Sequence, residues 1–149
     1  RNDAYIVTGG KASSFIHTLN GTKSGLPMIQ GKQSTGANSI ASWNALQLVI
    51  AGGDFANDQD TTGNAYLSND GGRSWQRPAV PPSGYRSCVA FLDEKKLLAC
   101  GTSGVDISDD GGRVWQSLSK ESFHVCQKAK KGEAVFLAGK NGRIARLIY

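Results

Sequence analysis

Two octamers, SNDGGRSW at 68–75 and SDDGGRVW at 108–115, fit one pattern, Ser-x-Asp-x-Gly-x-x-Trp. They lie about 40 residues apart, and recurrence at that interval restricts a chain to solenoid, propeller or array architectures. The chemistry of the octamer is that of a turn. Asp70 and Asp110 can accept hydrogen bonds from amides of their own loop. Gly72 and Gly112 can take positive φ without strain. Trp75 and Trp115 bring a large ring to the start of the next strand. Ser68 and Ser108 can bond back across the hairpin. A third copy, TLNGTKSG at 18–25, keeps the spacing and has lost the tryptophan.

The octamers sit inside a longer repeat. RSCVAFLDEKKLLACG (86–101) aligns without a gap to HVCQKAKKGEAVFLAG (124–139) and to ANSIASWNALQLVIAG (37–52). YIVTGG (5–10) matches the tail of the same unit, so that Gly9, Gly52, Gly101 and Gly139 fall at one repeat position. Each unit holds two short apolar runs around a polar turn, a third run leading into the octamer, and a fourth starting at its tryptophan, as in WQRPAV (75–80). Four antiparallel strands per repeat is the pattern of a β-propeller blade. The expected fold is therefore all-β, a propeller of about three and a half four-stranded blades, with remnants at 1–33, 34–83, 84–121 and 122–149. The chain enters on a second strand and leaves on a third, RIARLIY (143–149). Because propellers close with about 4–8 blades, it reads as the C-terminal half of a ring of about six to eight. The remaining blades would come from further chain or a second chain, since an open arc exposes sheet edges.

Composition removes other classes. Hydrophobic residues make up 39% of the chain, enough for a core. The longest apolar runs, such as LQLVIA (46–51), are too short to span a bilayer. The first residue is Arg1, which reads as a processed or truncated start. Net charge is +5 with both signs interspersed. The densest basic cluster, KAKK (128–131), has no interleaved aromatic residues, so it reads as a solvated turn and no nucleic-acid partner is expected. Cys88, Cys100 and Cys126 lack metal-site spacing, allow at most one internal disulfide, and read as buried free thiols in apolar strands.

The octamer resembles the Asp-box, or BNR repeat, of sialidases and many other propellers. The longer pattern is similar to bacterial photosystem II stability/assembly factor-like proteins, through PMIQGKQSTGANSIASW, GYRSCVAFL, GTSGVDISDDGGRVW and FLAGKNGRIARL. The resemblance implies a structural octamer remote from any catalytic site, and a secreted or periplasmic location. Such proteins are sometimes labelled oxidoreductases, but no dinucleotide fingerprint, C-x-x-C or haem signature is present here.

Propeller geometry sorts the loops. With strands A to D running outward from the centre, A–B and C–D turns share one end, which holds the octamers. The B–C loops and the D–A links between blades share the other, where ligand sites usually gather. That end should carry Tyr85, Arg86, Glu121, His124, Asp54, Asp106 and Arg143. In the gap-free alignment Tyr85 matches Phe123 and Arg86 matches His124. Other copies place Gly36–Ala37 at the Tyr85–Arg86 position, so Arg86 reads as dispensable for the repeat and free to offer its donor fork to a carboxylate or phosphate. The long B–C loop at 52–64 carries Asp58 and Asp60 at alternate positions before Gly63, like the start of a calcium loop. The closing glutamate is replaced by Asn69. Cofactors are otherwise expected to be none.

The favoured reading is a noncatalytic module binding a protein or glycan at this mouth. The alternative is a sialidase-type glycoside hydrolase. That class needs an arginine cluster, a tyrosine–glutamate pair and an acid. Glu94 and Glu133 lie in A–B turns at the other end, leaving Glu121 with Tyr85 and Arg86 as the one conceivable remnant. Another enzyme, such as a lyase, built on the full ring is also compatible.

Overall fold

Alternating apolar residues pack the chain into four small antiparallel sheets that follow one another in sequence. The computed structural model describes residues 4–11 and 13–148; Tyr149 and the first residues of the first expected remnant lie outside them. The first sheet holds β1 (Tyr5–Thr8), β2 (Phe15–Thr18) and β3 (Lys23–Gly25). The second holds β4 (Thr35–Ser42), β5 (Leu48–Asp54) and β6 (Ala65–Ser68). The third is a full four-stranded meander of β7 (Cys88–Phe91), β8 (Leu97–Gly101), β9 (Gly104–Ser108) and β10 (Gln116–Ser119). The fourth holds β11 (Val125–Lys128), β12 (Val135–Ala138) and β13 (Ile144–Leu147). β1 packs on β4, β4 on β7 and β7 on β11, which puts the first strands of successive sheets side by side.

The core lies in the seams between sheets. β5 is buried along its whole length because each of its faces meets a neighbour. Leu48 and Ile50 join Ile16, Leu26, Met28 and Tyr66 against the first sheet, while Val49 and Ala51 join Val89, Leu97, Ala99 and Trp115 against the third. The third seam gathers Leu98, Cys100, Val105, Phe123, Cys126, Val135 and Leu137. Each fully buried leucine or isoleucine contributes about 1.5–3 kcal/mol. The outer faces of the two terminal sheets carry exposed Ile6 on one side, and Val125, Phe136 and Ile144 on the other.

The aligned glycines have a common cause. A Cβ on Gly52 would stand 2.0 Å from the Gly36 carbonyl oxygen, and one on Gly101 would stand 2.1 Å from that of Tyr85. On the other side, the Gly52 carbonyl accepts from Arg86 N at 2.8 Å and the Gly101 carbonyl from Phe123 N at 3.1 Å. Each glycine is thus wedged between the link entering its own sheet and the link entering the next.

Both octamers fold into the same turn. Ser68 Oγ donates to Asp70 Oδ1 (2.7 Å) and accepts from Gly72 N (2.9 Å). Asp70 Oδ1 accepts from the N–H groups of Arg73 and Ser74, and Ser74 Oγ donates to Oδ2 (2.6 Å). In the second copy Ser108 Oγ donates to Asp110 Oδ1 (2.9 Å) and accepts from Gly112 N (3.0 Å), while Asp110 Oδ1 accepts from Arg113 N and Val114 N. Gly72 and Gly112 have φ of 85° and 89°. Gly71 N and Gly111 N donate to Leu46 O and Lys95 O, which ties each octamer to the first hairpin turn of its own sheet. The decayed copy keeps a reduced form, in which Thr18 Oγ1 donates to Asn20 Oδ1 and Asn20 Oδ1 also accepts from Thr22 N.

Two sequence expectations need correction. The run at 75–80 does not complete the second sheet as a fourth strand. Only Gln76 pairs there, with Leu67. Pro78 has no N–H to continue the ladder, and the chain crosses to the third sheet, where Ala79 N and Val80 N donate to Arg113 O and Trp115 N donates to Val80 O. The gap-free alignment is also out by one at β11. Arg86 N and Phe123 N make the same bond to the preceding glycine, and Ser87 N and His124 N bond Cys100 O and Ala138 O in the same way. Arg86 is therefore equivalent to Phe123 and Ser87 to His124. The cause is the hairpin turn between β11 and β12 (129–134), one residue longer than that between β7 and β8 (92–96).

Trp115 is buried in the second seam, and its Nε1 donates to Gly112 O (3.0 Å). Trp75 is half-buried, and its Nε1 has no partner among the described residues. Trp115→Ala is expected to lower unfolding free energy by about 3–5 kcal/mol, and Trp75→Ala by clearly less, as read by denaturant titration.

The octamer carboxyls set a second expectation. Both titrate below the ordinary 3.8. For Asp70 the causes are the Ser74 hydroxyl and N–H, then Ser68. For Asp110, burial opposes the shift, and the Val114 N–H, Ser108 hydroxyl and Arg113 N–H outweigh it. A depressed folded pKa gives stability that is present above the unfolded value and lost as pH falls through the folded one. Melting temperature should therefore fall as pH drops below about 4. Asp70→Asn with Asp110→Asn should flatten that slope, and an unchanged slope would remove these carboxylates as its source.

Candidate functional site

The links and the β5–β6 and β8–β9 connections meet at the end opposite the octamers. Gly10 N donates to Thr35 O, Tyr85 N to Asp58 O, Arg86 N to Gly52 O and Phe123 N to Gly101 O, so each link is sewn to the preceding sheet. This end carries the residues the sequence singles out, and they divide into a buried group and an exposed group.

Arg86 and Asp106 form the centre of the buried group, and neither has any exposed surface (0%). Arg86 Nε and Nη2 both reach Asp106 Oδ2, at 2.6 and 2.5 Å. Nη1 donates to Tyr85 O (2.7 Å) and Ser103 Oγ (2.8 Å). Asp106 Oδ1 accepts from Ser83 Oγ (2.7 Å), and Oδ2 accepts from Ser83 N (3.0 Å). The expectation of a free donor fork at Arg86 is thus corrected. Its donors are committed inside the protein, because a buried guanidinium persists only with its charge paired and its N–H groups bonded. Tyr85 is buried beside it, and that burial raises its phenol pKa.

Asp54 is also buried. Its Oδ1 accepts from Ala56 N (3.0 Å), and its Oδ2 lies 3.4 Å from Lys32 Nζ. The Ser34 hydroxyl first, then the Ala56 N–H and Lys32, hold its carboxyl below the ordinary range against the opposing effect of burial. Asp58 contributes its carbonyl to the link, and Asp60 Oδ1 accepts from Thr62 N (2.8 Å), which lowers the Asp60 carboxyl. Among the described residues no group of three or more His, Cys, Asp and Glu side chains converges as a metal site.

Glu121, His124 and Arg143 are the exposed group. His124 accepts from Ser87 Oγ through its carbonyl (2.7 Å). Arg143 Nη1 reaches Ser122 O at 3.5 Å, and its guanidinium lies 5.9 Å from the centre of the Phe123 ring. Glu121 bonds Ser119 Oγ through its N–H (3.1 Å).

Sequence reasoning missed Phe55, Ser83, Ser103 and Asn64. Phe55 is 56% exposed and sits edge-on to Tyr85, with ring centres 6.3 Å apart. An aromatic residue within the otherwise polar loop at 52–64 was the available signal. Asn64 is buried and donates through Nδ2 to Pro82 O (2.9 Å) and Gly84 O (2.7 Å), which fixes the link before Tyr85. Two clefts, of about 550 and 270 Å³, open at the octamer end and are lined by none of the candidate mouth residues.

Comparison with known proteins places the fold. No family model matches the chain, and no curated protein matches it. A solved structure described as YCF48 bound to D1 peptide, a β-propeller, superposes with a TM-score of 0.64 at 16% identity. The match covers 99% of this chain and 48% of that one, so the chain spans about half the length of its neighbour. The fold is that of several blades of a β-propeller. Among the described residues no helix is long and apolar enough to cross a membrane.

The buried pair defines the expected behaviour of its variants. Arg86→Ala leaves Asp106 uncompensated and should cost about 3–5 kcal/mol of stability. Replacing both partners by apolar residues, Arg86→Met with Asp106→Leu, should cost less than either single change. Denaturant melts of Arg86→Ala, of each single apolar change and of the double variant measure this, and additive losses would deny the pairing its role.

Proposed function

We propose that this chain forms part of a noncatalytic propeller that binds a segment of another protein at its link end. The observation that carries this reading is the division of that end. Arg86 and Asp106, the strongest charges for chemistry, are locked on each other inside, while Phe55, Glu121, His124 and Arg143 present an aromatic ring and mixed charges to solvent. An exposed aromatic anchor at an end that also carries polar groups suits peptide recognition, where a few such residues carry most of the affinity. The fold neighbour described as bound to a peptide supports a protein ligand over a glycan. The exposed apolar faces of the terminal sheets, with Ile6, Phe136 and Ile144, are on this reading covered by further blades. A secreted or periplasmic location belongs to the same reading and rests on the family resemblance alone.

Selection from a display library of unstructured peptides against the whole protein tests it. Peptides should be recovered, and Phe55→Ala should weaken them by about 1–2 kcal/mol with the melting temperature unchanged. Failure to select peptides, together with turnover of fluorogenic glycosides, would favour the hydrolase alternative.

A further inference from the structure

The third seam brings all three cysteines of the chain together. Cys88 lies on β7 and Cys126 on β11, the first strands of adjacent sheets, and their sulfurs are 3.7 Å apart. Cys126 N donates to Cys88 Sγ at 3.4 Å. Cys100, on β8, stands directly opposite Cys88 in the strand register. Cys88 is half-buried, whereas Cys100 and Cys126 are buried. The sequence allows one internal disulfide and does not choose its partners.

We propose that Cys88 and Cys126 are a redox pair that closes to a disulfide across the seam between the third and fourth sheets, with Cys88 as the entry thiol and Cys126 as the resolving one. Closure needs the two sulfurs to approach from van der Waals contact to a bond of about 2.05 Å. The oxidant is a small-molecule disulfide. The Cys88 thiolate attacks one of its sulfurs, the exogenous S–S bond breaks, and one thiol leaves with the proton Cys88 gave up. Cys126 then loses its proton and attacks Cys88 Sγ, and the second small thiol departs with that proton. Two protein thiols are oxidised and one disulfide is reduced to two thiols, by ordinary exchange.

The division of roles follows from access and environment. Only Cys88 of the three has appreciable exposure to solvent. Hydrogen bonds from the Cys100 and then the Cys126 thiol, with the Cys126 N–H, lower the Cys88 thiol against the effect of burial. Contact with Cys100, then Cys88, and burial raise that of Cys126. A low-pKa, accessible thiol beside a resolving one is the arrangement that oxidation selects. The link would clamp β7 to β11 next to the Ser87–His124 contact, fixing two links of the mouth relative to each other.

The test uses the native protein. After incubation with oxidised glutathione, free thiols are alkylated and non-reducing digests are mapped by mass spectrometry. The Cys88 and Cys126 peptides should be recovered joined, with the alkyl label on Cys100 alone, and dithiothreitol should restore label to all three. Cys100→Ser should keep the link, and Cys126→Ser should leave Cys88 as the glutathione adduct. A link to Cys100, a stable glutathione adduct on Cys88 in the unmutated protein, or label on all three cysteines after oxidation would overturn the proposal.

Discussion

The close passage of backbone on backbone at the seams is the constraint on which the rest depends. At Gly52 and Gly101 the entering links approach so tightly that no side chain fits, and the carbonyls of those glycines are the acceptors that hold the next link. Because the contact is made by main chain, it fixes the spacing of the sheets with little regard to side-chain identity. The apolar seams can then be filled differently at each step: Met28 and Tyr66 in the first, Trp115 in the second, Phe123 with cysteines in the third. The octamers act at the opposite end. They anchor each outer turn to its own inner hairpin through Gly71 N and Gly111 N. A sheet held at both ends by backbone bonds leaves its side chains free to specialise.

Arg86 shows how that freedom is used. Its equivalents are Ala37 in the second sheet and Phe123 in the fourth. Asp106, opposite Ala99, corresponds to Tyr66 opposite Ile50 and to Ala145 opposite Leu137. One sheet therefore solves the position with an ion pair and the others with apolar packing. A buried pair of this kind contributes little net stability over a hydrophobic substitute, yet loss of one member is costly. With Ser83, Ser103 and the Tyr85 carbonyl satisfying the remaining donors and acceptors, the pair serves to orient the link that carries Tyr85 and, through it, Phe55.

Much of the architecture was legible because it is periodic. The octamers, the aligned glycines and the paired apolar runs gave four sheets in the right order, since each feature is local and repeats. What failed was non-local or turned on a single residue. One extra residue in the turn at 129–134 shifted the β11 register, and a gap-free alignment cannot see it. Pro78 diverted the outer run of the second sheet. Tolerance of Ala37 at the same place suggests that Arg86 is dispensable, whereas Arg86 is buried and bonded to Asp106. The informative signal was that Arg86 and Asp106 occur together in one repeat while both positions are free of charge in the others. For the candidate site, strand alternation assigns the named residues to the link end, where Tyr85, Arg86, Asp54 and Asp106 lie buried and Glu121, His124 and Arg143 exposed; which side chains face outward depends on three-dimensional pairing that no single repeat encodes.

The path of the chain after Pro78 makes the unit of sequence differ from the unit of structure. Ala79 and Val80 belong by repeat to the second sheet, yet they bond to the octamer of the third. Cutting the chain at the boundary between the second and third repeats would strip the third sheet of its outer cover and leave the second with a dangling segment. These two blades overlap like shingles, so opening one must loosen the edge of the other. Duplication or loss of a blade in such a chain could not respect the repeat as written. The exchangeable piece would start in the outer segment of one sheet and end in that of the following one.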